Sequence, residues 1–128
     1  MPDWLAQSGV VLFTERFEAC VAFYRGTLGL EVLADYGKVV LLQFGGAYLM
    51  IEEGGVAAAE GKSRAASPVT LRFNTADVAG AAGLLRTRGV AVEVASFEWG
   101  TIGSFLDPDG NRCELRNHSA EFTRPASA

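Results

Sequence analysis

The sequence predicts an α+β fold built from one βαβββ unit that occurs twice. Apolar residues recur with helical spacing in two stretches, and each stretch lies between one short strand pattern and three further ones. Gly29 and Gly89 end the helical stretches at equivalent positions. The first unit spans about residues 8–53, a linker covers 54–67, and the second unit spans about 68–117. Because neither unit alone would close a core, residues 1–128 are predicted to form a single domain.

The first unit begins with a short apolar strand over residues 10–13. Thr14 is suited to cap a helix, because its side-chain oxygen can accept a hydrogen bond from a free amide of the first turn. Glu15 and Glu18 favour the positive end of that helix, and the helical pattern runs to Leu28. Three strands follow, over residues 30–33, 39–44 and 47–52.

The second unit repeats this order. A strand over residues 69–74 precedes Asp77, which is suited to cap a helix that runs to Arg88. Three strands then follow, over residues 90–94, 102–106 and 112–116.

The turn at residues 107–110, Asp-Pro-Asp-Gly, is the most specific local signal in the chain. Proline presets φ, glycine accepts a positive φ, and the aspartate carboxylates can accept hydrogen bonds from free amides. We therefore interpret this turn as structural. After it, charged residues alternate with Cys113 and Leu115, which predicts a strand with one buried and one charged face. Glu114 on the charged face is either a solvated residue of the sheet or part of a site.

The segment over 54–67 consists mostly of small and polar residues. We expect a flexible linker, with a short helical turn over 56–60 as the alternative. The chain after Ser119 is expected to fray unless Phe122 docks on a partner.

Composition excludes several classes of function. The net charge is −4 and the pI is near 4.9, with no basic stripe, so nucleic-acid binding is not expected. The absence of a long apolar span and of a signal-peptide pattern predicts a cytoplasmic protein without membrane contact. Cys20 and Cys113 are expected as reduced thiols. His118 is the only histidine and is interpreted as a terminal surface residue, so no Ser-His-Asp or Cys-His catalytic set is expected.

Residues 22–32 (AFYRGTLGLEV) and 105–116 (FLDPDGNRCELR) resemble the vicinal oxygen chelate superfamily. This superfamily includes glyoxalase I, extradiol dioxygenases, and fosfomycin and bleomycin resistance proteins. The resemblance covers roughly residues 8–117. It implies curled mixed sheets around a concave cup that holds the ligand, with the helices outside and Phe23 and Tyr24 packed on the sheet. It also implies a homodimer, because family members of this length usually build the cup across two subunits.

Strand alternation assigns side chains to the predicted cup. Because Leu49 and Ile51 are expected to face a helix, the residues that alternate with them are expected to face the cup: Tyr48, Met50 and Glu52. The same alternation points three more sets inward: Gly9, Val11 and Phe13; Thr70, Arg72 and Asn74; and Arg112, Glu114 and Arg116.

Metal-dependent members of the superfamily place a histidine, glutamate or glutamine ligand on each of four strands. By strand register, these positions correspond to Gly9, Met50, Thr70 and Glu114. Only Glu114 has a side chain typical of these ligands. We therefore predict no metal site of the family type and no cofactor.

We predict a small-molecule-binding protein of the bleomycin-resistance type, which confers antibiotic resistance by sequestering an aromatic or apolar ligand without metal. The predicted ligand-binding residues are Phe13, Tyr48, Met50, Arg72, Trp99 and Glu114. Four of these residues have a structural alternative: Arg72 and Glu114 as an ion pair, Trp99 as a cover for the cup rim or a dimer seam, and Met50 as plain packing.

Two other functions stay open. The first is a vicinal-oxygen-chelate enzyme, a lyase, isomerase or dioxygenase, with Glu114 as acid/base or as metal ligand. The second is a subunit or regulator whose cup is filled by its own side chains. The charge of the ligand also stays open, because the acidic chain favours cations whereas three arginines are expected to point inward.

Overall fold

The structure is a computed structural model that describes residues 2–117. The first unit contains β1 (Gly9–Thr14), α1 (Phe17–Ala22, continued by a π-helical turn, Phe23–Thr27), β2 (Val32–Asp35), β3 (Val39–Phe44) and β4 (Ala47–Glu53). The second contains β5 (Leu71–Thr75), α2 (Val78–Thr87), β6 (Glu93–Phe97), β7 (Gly100–Leu106) and β8 (Arg112–Asn117). The predicted α+β fold with two βαβββ units is confirmed.

Each unit forms its own four-stranded mixed sheet. The strand order is β1-β4-β3-β2 in the first sheet and β5-β8-β7-β6 in the second. In both sheets the strand before the helix pairs in parallel with the last strand of the unit, and the other pairs are antiparallel. This pairing places Gly9 beside Tyr48 and Arg72 beside Glu114.

The start of α1 is stabilised by a residue of the other unit. The prediction that Thr14 caps this helix is wrong, because Thr14 ends β1 and its hydroxyl donates to the carbonyl of Glu52 at 3.3 Å. The amides of Glu15 and Arg16 instead donate to the Asp109 carboxylate at 3.0 and 2.8 Å. A carboxylate there also suits the positive end of the helix.

The predicted cap of α2 and the predicted helix ends are confirmed. The amide of Gly80 donates to Asp77 Oδ1 at 3.0 Å. Gly29 and Gly89 have φ values of 81° and 88° just after the two helical segments, a conformation that glycine adopts without strain.

β2 and β6 begin two or three residues later than predicted, because the residues after these glycines close the helices. The amide of Leu30 donates to the carbonyl of Tyr24 at 3.0 Å, and the amide of Val90 donates to that of Leu85 at 3.0 Å. Leu30 and Val90 also pack against the core. Such a contact is typical of a glycine-terminated helix, so apolar character here does not indicate a strand.

One hydrophobic core cluster joins both units on the helix side of the sheets. Phe44 of the first sheet contacts Phe73 of the second at 5.3 Å between ring centroids, and Phe73 lies 6.3 Å from Phe105. The apolar faces of both sheets are therefore used for packing, and the opposite faces remain for other contacts.

A buried polar junction links α1 to the turn before β8. The hydroxyl of Tyr24 donates to Asp107 Oδ2 at 2.6 Å and lies 3.5 Å from the sulfur of Cys113. Asp107 Oδ1 accepts hydrogen bonds from the amides of Asp109 and Asn111, at 2.9 and 2.8 Å. The predicted structural role of this turn is confirmed.

The two cysteines are free and buried. Burial raises the pKa of the Cys113 thiol to about 12. Burial, and then the negative charges of Asp107 and Asp109, raise the pKa of the Cys20 thiol to about 12. Both thiols therefore stay protonated in the folded protein well above neutral pH.

The segment predicted to be a flexible linker is hydrogen-bonded to the second unit. The amide of Ala58 donates to the carbonyl of Asp109 and that of Lys62 to the carbonyl of Gly110, both at 2.9 Å. Residues 56–60 form no helix; a turn closed by a 2.8 Å bond from the amide of Gly61 to the carbonyl of Ala58 takes its place.

Within residues 2–117, no helix is long and apolar enough to cross a bilayer. The predictions about His118, Phe122 and the tail after Ser119 lie outside the described residues.

Candidate functional site

The predicted inward residues lie on the sheet faces turned away from the helices. In the first sheet, Val11 pairs with Met50 and Phe13 with Glu52, while the alternating Leu49 and Ile51 are fully buried under α1. Phe13 is 52% exposed near the end of the edge strand β1. We call this surface of the first sheet the aromatic face; it contains Gly9, Val11, Phe13, Tyr48 and Met50.

On the aromatic face, the ring of Tyr48 lies over Gly9. A Cβ atom at Gly9 would lie 2.5 Å from three atoms of that ring. Glycine at this position therefore makes room for the tyrosine, and the first ligand position of the family is covered by an aromatic ring.

On the second sheet, Arg72 and Glu114 form an ion pair between adjacent parallel strands. Arg72 Nε lies 2.5 Å from Glu114 Oε1, and the side chains are 44% and 16% exposed. The predicted ion pair is confirmed, so Glu114 already has a cationic partner within the same chain.

The other two arginines on this face are held by main-chain carbonyls. Arg112 donates to the carbonyls of Lys62 at 2.7 Å and Val69 at 3.2 Å, and also to that of Ser67. Arg116 donates to the carbonyl of Trp99 at 3.2 Å. Both side chains therefore hold loops in place.

Trp99 lies in the turn between β6 and β7 and stacks on two neighbours. Its ring is 4.9 Å from that of Phe97 with an interplanar angle of 5°, and the Arg116 guanidinium lies 4.8 Å from its centroid. Glycine at position 100 leaves room for the Arg116 side chain, because a Cβ there would overlap it. Phe97 and Trp99 remain 53% and 58% exposed. We call Phe97, Trp99 and Arg116 the aromatic platform.

The residues at the four family ligand positions do not fit a divalent transition metal. Gly9 has no donor and is covered by Tyr48, Met50 offers only a thioether, and Glu114 is paired with Arg72. No group of three or more His, Cys, Asp or Glu side chains within residues 2–117 has the arrangement of a metal site.

The structure brings together some of the six predicted ligand-binding residues and separates others. Arg72 contacts Glu114 on the second sheet, and Trp99 lies in a turn of the same unit. Phe13, Tyr48 and Met50 belong to the first sheet. Within residues 2–117, no hydrogen bond, ion pair or ring contact joins the two sets.

A cleft of about 1150 Å³ opens where β7 extends past the first residue of β6. Of the six predicted residues, Glu114 lines it and the other five do not. A smaller cleft of about 510 Å³ lies between α1 and the β2–β3 turn and is lined by none of the six.

Sequence reasoning missed two features of these surfaces. Phe97 was not among the predicted residues, although its position two residues before Trp99 was a usable signal. The stacking of Tyr48 on Gly9 depends on the parallel pairing of β1 with β4, which has no local signal.

Solved structures with the same fold come from several bacteria. A glyoxalase family protein from Enterococcus faecalis has a TM-score of 0.72 at 22% identity, covering 88% of this chain and 97% of that chain. An antibiotic binding protein from a Streptomyces species, TnmS3, has a TM-score of 0.69 at 23% identity and covers 93% and 100%. A lactoylglutathione lyase from Agrobacterium tumefaciens has a TM-score of 0.67 at 20% identity and covers 91% and 94%.

At these identities the similarity shows a common fold. No curated protein matches the chain. The family model for the glyoxalase/bleomycin resistance protein/dioxygenase superfamily matches residues 6–115. The chain therefore belongs to the glyoxalase/bleomycin resistance protein/dioxygenase superfamily.

Proposed function

We propose that this protein binds and sequesters an aromatic or apolar small molecule without using a metal. The supporting observation is the exposure of large aromatic side chains on the sheet faces opposite the core, with Phe13, Phe97 and Trp99 each more than half exposed. Aromatic side chains in such positions offer stacking surfaces to a planar ligand. Arg72 and Glu114 add a polar contact beside them.

We further propose that two copies of the chain form the complete cup. The aromatic face and the aromatic platform lie on separate sheets, and in this dimer the face of one subunit would lie opposite the platform of the other. A homodimer would also remove the exposed aromatic area from water. We place this dimer in the cytoplasm, where the free thiols of Cys20 and Cys113 would stay reduced.

The choice of ligand class follows from the neighbouring folds and the available side chains. One similar structure is an antibiotic binding protein. Both the stacked Phe97–Trp99 pair and Phe13 suit a planar aromatic body. Aromatic antibiotics and aromatic metabolites are therefore the first compounds to test.

The test is native mass spectrometry of the purified protein, followed by a thermal-shift panel of aromatic antibiotics and metabolites. We expect a dimer, and saturable binding that Phe13→Ala and Trp99→Ala each weaken about tenfold or more. Trp4→Ala removes an 82% exposed tryptophan outside both surfaces and serves as the control. A panel without any saturable ligand would count against the proposal.

The alternative is an enzyme that uses Glu114 as acid or base, and one similar fold is a lyase. Glu114→Gln separates the two functions for any ligand that the panel finds. A binding protein keeps the ligand unchanged and loses modest affinity, whereas an enzyme converts it and loses turnover by orders of magnitude in the variant.

A further inference from the structure

The 1150 Å³ cleft concentrates positive charge in an otherwise acidic protein. Four arginines line it, Arg64, Arg86, Arg88 and Arg112, although the whole chain has a net charge of −4. These residues come from the linker, the end of α2 and the start of β8, so the fold gathers them from three separate segments.

Three of these guanidinium groups are held in place by neutral oxygens. Arg86 donates twice to the carbonyl of Val92, at 3.2 and 2.6 Å. Arg88 donates to the carbonyl of Thr27 at 2.7 Å, and Arg112 donates to three carbonyls of residues 62–69. Carbonyl oxygens orient a guanidinium without neutralising its charge, so the cleft wall is both ordered and cationic.

The carboxylates of the cleft balance this charge only in part. Glu114 is paired with Arg72, which lies outside the lining. Within residues 2–117, Asp107 and Glu93 form no ion pair, so four guanidinium groups share the lining with two unpaired carboxylates. Within residues 2–117, none of the four arginines forms an ion pair, and the buried Nε of Arg112 has no hydrogen-bond partner.

Much of the remaining wall is apolar, although Thr27, Thr70 and Ser104 also line it. Phe23, Phe105, Val90, Val92 and Leu106 line the same cleft. An apolar wall with unneutralised guanidinium groups suits a ligand that combines an apolar body with an anionic head. We propose that this cleft is a second binding site, which takes an organic anion with a carboxylate or phosphate head.

This site does not depend on the proposed aromatic-ligand site. It is lined by residues of one chain and includes neither Phe13 nor Trp99. The two sites share only Glu114, whose carboxylate is paired with Arg72. An experiment can therefore reject either proposed site without rejecting the other.

The test uses three probes that share an apolar chain: octanoate, octyl phosphate and the neutral 1-octanol. Each is titrated into the full-length protein and followed by two-dimensional NMR. We expect saturable shifts around Val90, Phe105 and Arg112 with both anions, and affinity for octanol at least about tenfold lower. The two anions also show whether the head group is bound as a carboxylate or as a phosphate.

Arginine variants then show which side chains bind the anionic head group. Arg64→Gln combined with Arg88→Gln is expected to weaken both anions about tenfold or more. Arg64→Gln alone covers the case in which the double variant folds poorly, because Arg64 makes no hydrogen bond within residues 2–117. Arg25→Gln, an exposed arginine outside this cleft, is the matched control.

Four outcomes would overturn the proposal: no saturable shift with either anion, equal affinity for octanol, unchanged affinity in the Arg64 variants, or an equal loss in Arg25→Gln. Phe13→Ala and Trp99→Ala are expected to leave octanoate binding unchanged. If only those two variants weaken octanoate binding, octanoate binds at the aromatic site, and the cleft is rejected as its binding site.

Discussion

The hydroxyl of Tyr24 donates a 2.6 Å hydrogen bond to the carboxylate of Asp107, and this bond joins the helix of the first unit to the turn of the second. Burial, followed by the charges of Cys113 and Asp107, raises the pKa of the Tyr24 hydroxyl far above its ordinary value. The hydroxyl therefore remains a hydrogen-bond donor well above neutral pH.

Tyr24→Phe should lower the free energy of unfolding by about 1–3 kcal/mol, because the buried Asp107 carboxylate loses a donor that water cannot easily replace. Urea denaturation followed by circular dichroism measures this. Tyr36→Phe is the control, since Tyr36 is 73% exposed. Equal stability of the two variants would contradict the role of the junction.

Stability should begin to fall near pH 9 and then decrease steeply towards pH 12. In the folded protein the thiols of Cys20 and Cys113 have pKa values of about 12, raised from an ordinary value near 9, so the unfolded chain loses these protons first. The stabilisation is complete below pH 9 and disappears as pH rises towards 12, by about 1.4 kcal/mol per thiol between pH 8 and pH 10.

Urea denaturation at pH 8, 9 and 10 checks this slope. The double variant Cys20→Ala, Cys113→Ala is expected to show a flatter pH dependence, whatever its absolute stability. The native thiols should also react slowly with Ellman's reagent until the protein unfolds. Rapid reaction in the native state would argue against their burial.

Gly110→Ala should destabilise the protein by about 2 kcal/mol or more. Gly110 has a φ of 85°, and a Cβ there would overlap the carbonyl oxygen of Ala58 in the linker. Gly83→Ala in α2 is the matched control, because a Cβ at that position meets nothing within 4 Å. Gly83→Ala should raise the free energy of unfolding by about 0.5–1 kcal/mol. Thermal unfolding of both variants gives the comparison, and a neutral Gly110→Ala would mean that the linker does not rest on the turn.

Removing one partner of the Arg72–Glu114 ion pair should lower the free energy of unfolding more than removing both partners does. Glu114 is only 16% exposed, so Arg72→Met leaves a largely buried carboxylate without its cation. Because Arg72 is 44% exposed, solvent screens the pair, and we expect a coupling of about 1 kcal/mol. A double-mutant cycle with Glu114→Gln measures it, and additive effects would show that the pair contributes nothing.

Zinc, nickel, iron and manganese should not bind at the family position. Gly9 is covered by the ring of Tyr48, and Glu114 is paired with Arg72. After dialysis against each metal and then against buffer, elemental analysis should find much less than one metal per chain. Stoichiometric metal that is lost in Glu114→Gln would show that the ion pair opens to a metal.

Local patterns predicted much of this fold. The periods of helix and strand, the cap at Asp77, the glycines at 29 and 89 and the turn at 107–110 depend on neighbouring residues alone. The same period of two placed Phe13, Tyr48, Met50, Arg72 and Glu114 on the correct sheet faces, because alternate side chains of a strand point to opposite sides.

The errors occurred where a group from a distant part of the chain replaced a local one. Asp109, more than 90 residues away, accepts the hydrogen bonds at the start of α1 in place of Thr14. The linker looked flexible because its composition is small and polar, yet its amides donate to carbonyls of the turn before β8.

The family, the repeated unit and the sheet faces can be predicted from the amino-acid sequence, as can the lack of suitable metal-ligand side chains at the family positions. The contacts between distant side chains cannot: Tyr48 over Gly9, Arg116 beside Trp99, and four arginines around one cleft. Strand alternation is a property of the local backbone, whereas these contacts depend on strand pairing and on the packing of two units against one core.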